Sequence, residues 1–147
     1  MNAFRFPLQK VLEFRRKQLE LAEARYKQQL AVVAELDRQR SEIGAAATTA
    51  EIEVRQGGGI AGCDLAALGR FRTRVKSEEA RIAGQRVEAA KEVAVRQEAM
   101  LQARRSAKLL ERLRERRMEE WEAQRDRELD ELASDSFLAQ WNRRAAE

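Results

Sequence analysis

Histidine is absent from the sequence, and cysteine and proline occur once each. Without histidine the chain lacks the commonest general base and metal ligand. A single cysteine, Cys63, builds neither an intrachain disulfide nor a structural zinc site. The expectation is therefore no enzyme, no metal and no cofactor, in a reducing compartment. Aromatic residues make up only 5% of the chain, and alanine supplies much of the 44% that is hydrophobic, so a thin apolar seam is available and a thick core is not. No stretch approaches the ~20 apolar residues of a membrane span. The opening Met1–Leu12 shows no signal-peptide apolar run. Together these point to a cytoplasmic protein that meets a membrane only peripherally, through partners.

Charge and helical periodicity are what the chain has in quantity. Charged residues reach 37%, with 29 basic against 25 acidic side chains, a net charge of +4. The signs are interleaved, as on a salt-bridged helical surface. From about residue 7 to 56, apolar positions step by three and four through Leu8, Leu12, Leu19, Ala22, Tyr26, Val33, Leu36, Ile43, Ala47, Ala50 and Val54. Arg15, Gln29 and Arg40 fill the polar slots. This spacing, sustained over many turns, is the coiled-coil signal. It resumes from about residue 64 with Leu65, Leu68, Val75, Ile82, Ala89, Val93, Met100, Ala103, Ala107 and Leu110, and helical character persists to about residue 133.

Between the two arms lie Gly57, Gly58, Gly59 and Gly62. Glycine is costly inside a helix and reaches left-handed backbone angles without strain. The reading is one all-α domain over 1–147, an antiparallel coiled-coil hairpin. Arm one covers about 7–56, the bend about 57–63, the longer arm two about 64–133 and a tail 134–147. Asp64 is the expected N-cap of arm two. A bend centred near Gly59 sets Ile43 opposite Val75, Leu36 opposite Ile82, Tyr26 opposite Val93 and Leu8 opposite Leu110. It also pairs Arg40 with Glu79. Arm two then overhangs from about Glu111 with nothing in the chain to cover it. Ser134-Asp135-Ser136 interrupts the helix or begins a short new one, followed by Phe137, Leu138 and Trp141 as a frayed tail or a docking turn. The glycines match G-x-G-x-x-G literally, but they join two helices instead of following a strand.

Local charge singles out two stretches. Residues 64–110 hold 11 basic and 6 acidic side chains, and 111–147 hold 8 and 11. Arg70, Arg72, Arg74 and Lys76 crowd the start of arm two, where cations oppose the helix dipole. Phe71 lies among them, beside the seam, as an aromatic available at the surface. Such an arginine-rimmed ring has the composition of a binding hot spot. Nucleic acid is the competing partner for these cations, but Glu78 and Glu79 follow directly, so no nucleic-acid binding is the reading preferred.

The opening Phe4-Arg5-Phe6-Pro7-Leu8-Gln9-Lys10-Val11-Leu12-Glu13-Phe14-Arg15 resembles the F-x-x-x-L-x-x-V-L-x-x-R start of the FliJ family of flagellar type III export proteins. Gly59-Ile60-Ala61 followed by Phe71, the length and the unequal hairpin are also similar. The resemblance implies a non-enzymatic coiled coil like the central stalk of rotary ATPases, needed for flagellum assembly and motility. It implies three partners: an export ATPase hexamer, the cytoplasmic domain of the export gate, and export chaperones that it helps to cycle. Carried over by position, the gate surface is Phe71, Val75, Glu78 and Ile82. Glu78 departs from the small apolar residue expected there, and Ile82 from a polar one. The ATPase-ring end is expected at Phe4, Phe6, Arg112, Arg114, Arg116, Arg117 and an exposed Trp121. The alternatives are the equivalent stalk of a virulence secretion system and a basic coiled-coil nucleic-acid adaptor.

Overall fold

The computed structural model describes residues 3–59 and 61–145. Two helices account for nearly all of them: α1, Gln9–Gln56, of 48 residues, and α2, Gly62–Ala145, of 84. They pack against each other as a helical hairpin, with no strand among the described residues. Pro7 lies in the turn before α1, where the Gln9 N–H donates to the Phe6 carbonyl over 3.1 Å. A proline at a helix entry forfeits no bond, because the first N–H groups are unpaired there anyway.

After α1 the chain turns through Gly57–Gly59. Gly58 has φ +70°, a conformation L side chains rarely adopt, and this decides why a glycine stands there. Ile60, part of the resemblance at the bend, lies outside the described residues. The bend is shorter than expected, because Gly62 and Cys63 already belong to α2. The Asp64 and Leu65 N–H groups both donate to the Ala61 carbonyl, over 3.0 and 3.3 Å. Asp64 is therefore inside the first turn and is not the N-cap. Its carboxylate still favours the positive end of the helix dipole from that position.

By their internal contacts the residues form two units, Glu20–Leu101 and the terminal unit of Met1–Leu19 with Gln102–Glu147. In the Glu20–Leu101 unit the seam buries Ile82 (1% exposed), Ala89, Met100 and Gln29, with Tyr26, Val33, Leu36, Ile43, Val75 and Val93 half-buried. The Gln29 side-chain amide donates to the Ala89 carbonyl over 3.3 Å, at the level that a bend centred near Gly59 assigns them.

Two seam assignments are corrected here. Leu65 is 54% exposed. Arg40 is also exposed, and the slot between Leu36 and Ile43 goes to half-buried Gln39. Both choices satisfy a three-four step, and the neutral amide is the cheaper to desolvate. The expected Arg40–Glu79 neutralisation is replaced by Arg86 on Asp37, with Arg72 on Glu51 over 2.9 Å. Each of these arginines reaches about one turn beyond its level in the seam. Helical side chains lean toward the N-terminus of their own helix, which in an antiparallel pair carries an α2 arginine toward higher numbers on α1.

Burial of Gln29 leads to a first prediction. Its amide is satisfied by one long bond, so Gln29→Leu should be neutral or stabilising by about 1 kcal/mol. A thermal melt followed by circular dichroism would measure this.

In the terminal unit, Leu12 (0% exposed), Ala107 and Phe6 are buried. Leu8 is 38% exposed, so it leaves the predicted seam and Phe6 takes the burial instead. Arg16 pairs with Glu111 over 2.9 Å, and the Phe4 ring lies 6.1 Å from that of Trp121. The uncovered part of α2 therefore begins after about Trp121, not at Glu111. Ser134-Asp135-Ser136 does not interrupt α2, which continues to Ala145. Serine and aspartate cost only ~0.5 kcal/mol each against alanine inside a helix, and Arg143 and Arg144 in the last turn complement the dipole.

Candidate partner-binding surfaces

In the Glu20–Leu101 unit the small residues near the bend leave space between the helices. A cleft of about 430 Å³ opens there, walled by Ala50, Val54, Ala67, Leu68 and Phe71, with Glu53 and Asp64 adding carboxylates. Phe71 is half-buried and lines this cleft. The exposed ring read from the sequence is thus corrected. Position 71 lies three after Leu68 and four before Val75, so it fills a seam slot that the apolar count skipped. Val75 and Glu78 are half-buried beside it, and Glu78 pairs with Arg81 over 2.7 Å. Ile82 is 1% exposed and belongs to the packing between the helices, out of reach of a partner at the surface. Of the cations around Phe71, Arg70, Arg74 and Lys76 are exposed, as is Arg72, which is tied to Glu51.

The same unit carries the strongest surface electrostatics. Hydrogen bonds from Arg38 and Gln39 hold the Glu35 carboxyl down from its ordinary value of 4.5 to about 2. A hydrogen bond from Arg86 lowers Asp37, and that of Asp37 raises Arg86 in turn. Arg38 also donates to Glu42, and its own pKa is raised, chiefly by Glu35. Both carboxylates lie lower in the folded chain than in an unfolded one. The contribution of Glu35 is therefore complete above about pH 4.5 and lost as pH falls toward about 2, and that of Asp37 is likewise lost on acidification. The melting temperature should fall through that window, and Asp37→Asn should flatten part of the dependence. Added salt should weaken it, since the groups are exposed.

In the terminal unit the four expected arginines separate by helical phase. Arg112 and Arg116 are exposed, and Arg117 is exposed and pairs with Glu120 over 3.0 Å. Arg114 is half-buried, and its Nε is buried with no hydrogen-bond partner among the described residues. Trp121 is not exposed as expected but half-buried, covered on one side by Phe4 and with the Arg125 guanidinium 5.3 Å from its ring centre. Sequence reasoning missed that cation–π contact, although Trp121 and Arg125 stand four apart on one helix face. It also missed Leu109, 67% exposed and bordered by Arg105, Lys108 and Arg112.

Over residues 4–145 the chain matches the family described as Flagellar FliJ protein. It belongs to the FliJ family. The family implies a component of the flagellar protein-export apparatus. No curated protein and no solved structure matched it. No helix among the described residues is long and apolar enough to cross a membrane, and no group of three or more potential metal ligands occurs among them.

Proposed function

We propose that this FliJ-family chain is the stalk-like element that links the export ATPase ring to the export gate and helps export chaperones to cycle. In this reading it works at the inner face of the membrane, attached only through its partners, and flagellum assembly and motility depend on it. The observation that carries the reading is the family match across 4–145 on a two-helix hairpin. The two units also present different chemistry, as two different partners require. One has an aromatic-lined cleft beside exposed surface cations. The other has an arginine-rich helix with an aromatic contact near the chain start.

The gate contact is assigned to the accessible edge of Phe71, Val75 and Glu78, with Ile82 supporting it from beneath. The ring contact is assigned to Arg112, Arg116 and Arg117. Phe4, Phe6, Arg114 and Trp121 form the packing that holds that part of α2. Electrostatic attraction to acidic ring loops would act mainly on the association rate and would weaken with salt.

Co-purification with the ATPase and stimulation of its turnover test the reading. The Arg112→Glu, Arg116→Glu, Arg117→Glu triple variant should bind the ring at least tenfold more weakly with unchanged helicity. Undiminished stimulation by that variant would remove these residues from the ring contact, and failure of the unaltered chain to bind the ATPase would remove the stalk reading itself.

A further inference from the structure

An apolar ridge of α2 continues past the point where the chain itself supplies a partner. Positions 121, 125, 129, 133, 137 and 141 follow one another at intervals of four along a single ridge of the helix. At its start this ridge is occupied: Trp121 is half-buried under Phe4, and Arg125 lies over its ring. Beyond Arg125 it is bare. Leu129 is 43% exposed, Leu132 beside it 62%, and Phe137 and Trp141 63% each, the last two rings stacked with centres 6.4 Å apart. Each step of four turns the ridge by roughly 40° about the helix, so it winds away from the face packed by Phe4 and leaves its far end, Phe137 and Trp141, uncovered among the described residues.

We infer that a second copy of this chain covers the ridge, the two α2 tails crossing antiparallel about a two-fold axis near Asp135. Three observations select this occupant. The charge pattern is self-complementary in that direction alone. Residues 126–135 carry five acidic side chains and one basic, whereas 136–145 carry Arg143 and Arg144 and no acid. An antiparallel crossing sets Asp126 of each copy against Arg144 of the other, both nine residues from the axis and on the ridge side of the helix. A parallel one sets acid on acid.

The side-chain sizes alternate about the same axis. Trp141 meets the level of Leu129 and Phe137 that of Ala133, so each large ring faces a smaller residue. Ser134 and Ser136 at the crossing allow a close approach, while Asp135 lies on the opposite side of the helix from the ridge. The area is also consistent. Two exposed rings and two leucines offer about 500 Å² per copy, so about 1,000 Å² in total, near the lower limit for a specific interface. This describes a reversible dimer with a dissociation constant on the order of 10 μM.

Sedimentation equilibrium of the full chain from about 2 to about 200 μM, a range that brackets such a constant, should show a monomer–dimer equilibrium. Phe137→Ser with Trp141→Ser should weaken it at least tenfold. Because that pair of changes could loosen the helix, a charge swap supplies a second measurement. A chain with Arg144→Glu, and another with Asp126→Lys, should each dimerise poorly alone. Mixed together they should form a heterodimer at least as tight as the original.

In a Cys63→Ser background, Ser136→Cys should be joined to its copy by a short bis-maleimide. Leu129→Cys, placed ~18 Å from its copy along the axis at ~1.5 Å per residue, should not. The inference is overturned by a monomer at every concentration, or by a mixture no tighter than its components. It is equally overturned by efficient linkage at position 129, or by a ridge protected from labelling only when the ATPase ring is present.

Discussion

Ile82→Asp is expected to separate the helices of the Glu20–Leu101 unit. Ile82 is 1% exposed and, with Leu12, one of the two largest side chains that are fully buried. A carboxylate there loses the transfer energy of the isoleucine and must also be hydrated, which the seam permits only by opening. Removing the side chain alone, as in Ile82→Ala, should cost about 2–4 kcal/mol. The charged replacement should cost about 4 kcal/mol or more. Against the 5–15 kcal/mol typical of a whole domain, that is a large share where only six hydrophobic residues are buried among the described residues.

The measurement is thermal unfolding by circular dichroism, with proteolysis as a local readout. Cleavage should appear first between residues 20 and 101. An unchanged melting curve would show that the seam does not depend on this residue. The result also guards against a misreading, since loss of gate binding by an Ile82 variant would report on folding and not on contact.

Phe71→Ala is the complementary case. The ring is half-buried in an open cleft whose nearest walls are alanines, a valine and a leucine. Its truncation should cost about 2 kcal/mol of stability by the area it covers. If the cleft receives an apolar side chain of the gate domain, the same change should cost about 2 kcal/mol or more of binding, roughly a 30-fold loss of affinity. The two effects are separated by titrating the gate domain against Phe71→Ala and Phe71→Leu under conditions where both are equally helical. Leucine, which still fills part of the cleft, should retain an intermediate affinity. Equal affinity for all three chains would place the gate contact elsewhere, on the exposed arginines or on another face.

These two residues show where a one-dimensional reading reaches its limit. Spacing places position 82 in the seam and resemblance places it on the gate surface, and only burial shows that the first role limits the second. Position 71 does not stand out as a seam residue because the apolar run from Leu68 to Val75 skips a turn. A phenylalanine in the skipped slot satisfies the same period, so spacing alone does not decide whether it faces the neighbouring helix. Gln39 and Arg40 pose the same ambiguity in polar form. The difference in desolvation between an amide and a guanidinium, which pattern does not express, places the amide inside.

The periodicity, the glycine cluster and the absence of histidine were enough to determine an all-α hairpin with its bend near Gly59. Each is a local property: helical period, backbone strain, side-chain chemistry. The opening motif added the family. Tertiary structure alone decided how far the N-terminal segment reaches along α2, because that depends on Phe4 finding Trp121 and Arg16 finding Glu111, contacts between residues roughly a hundred positions apart. It likewise decided that Arg114 turns inward while Arg112 and Arg116 do not, and that α2 runs unbroken through Ser134–Ser136. Helical phase and long-range packing set those outcomes, and neither is carried by any short stretch of the chain.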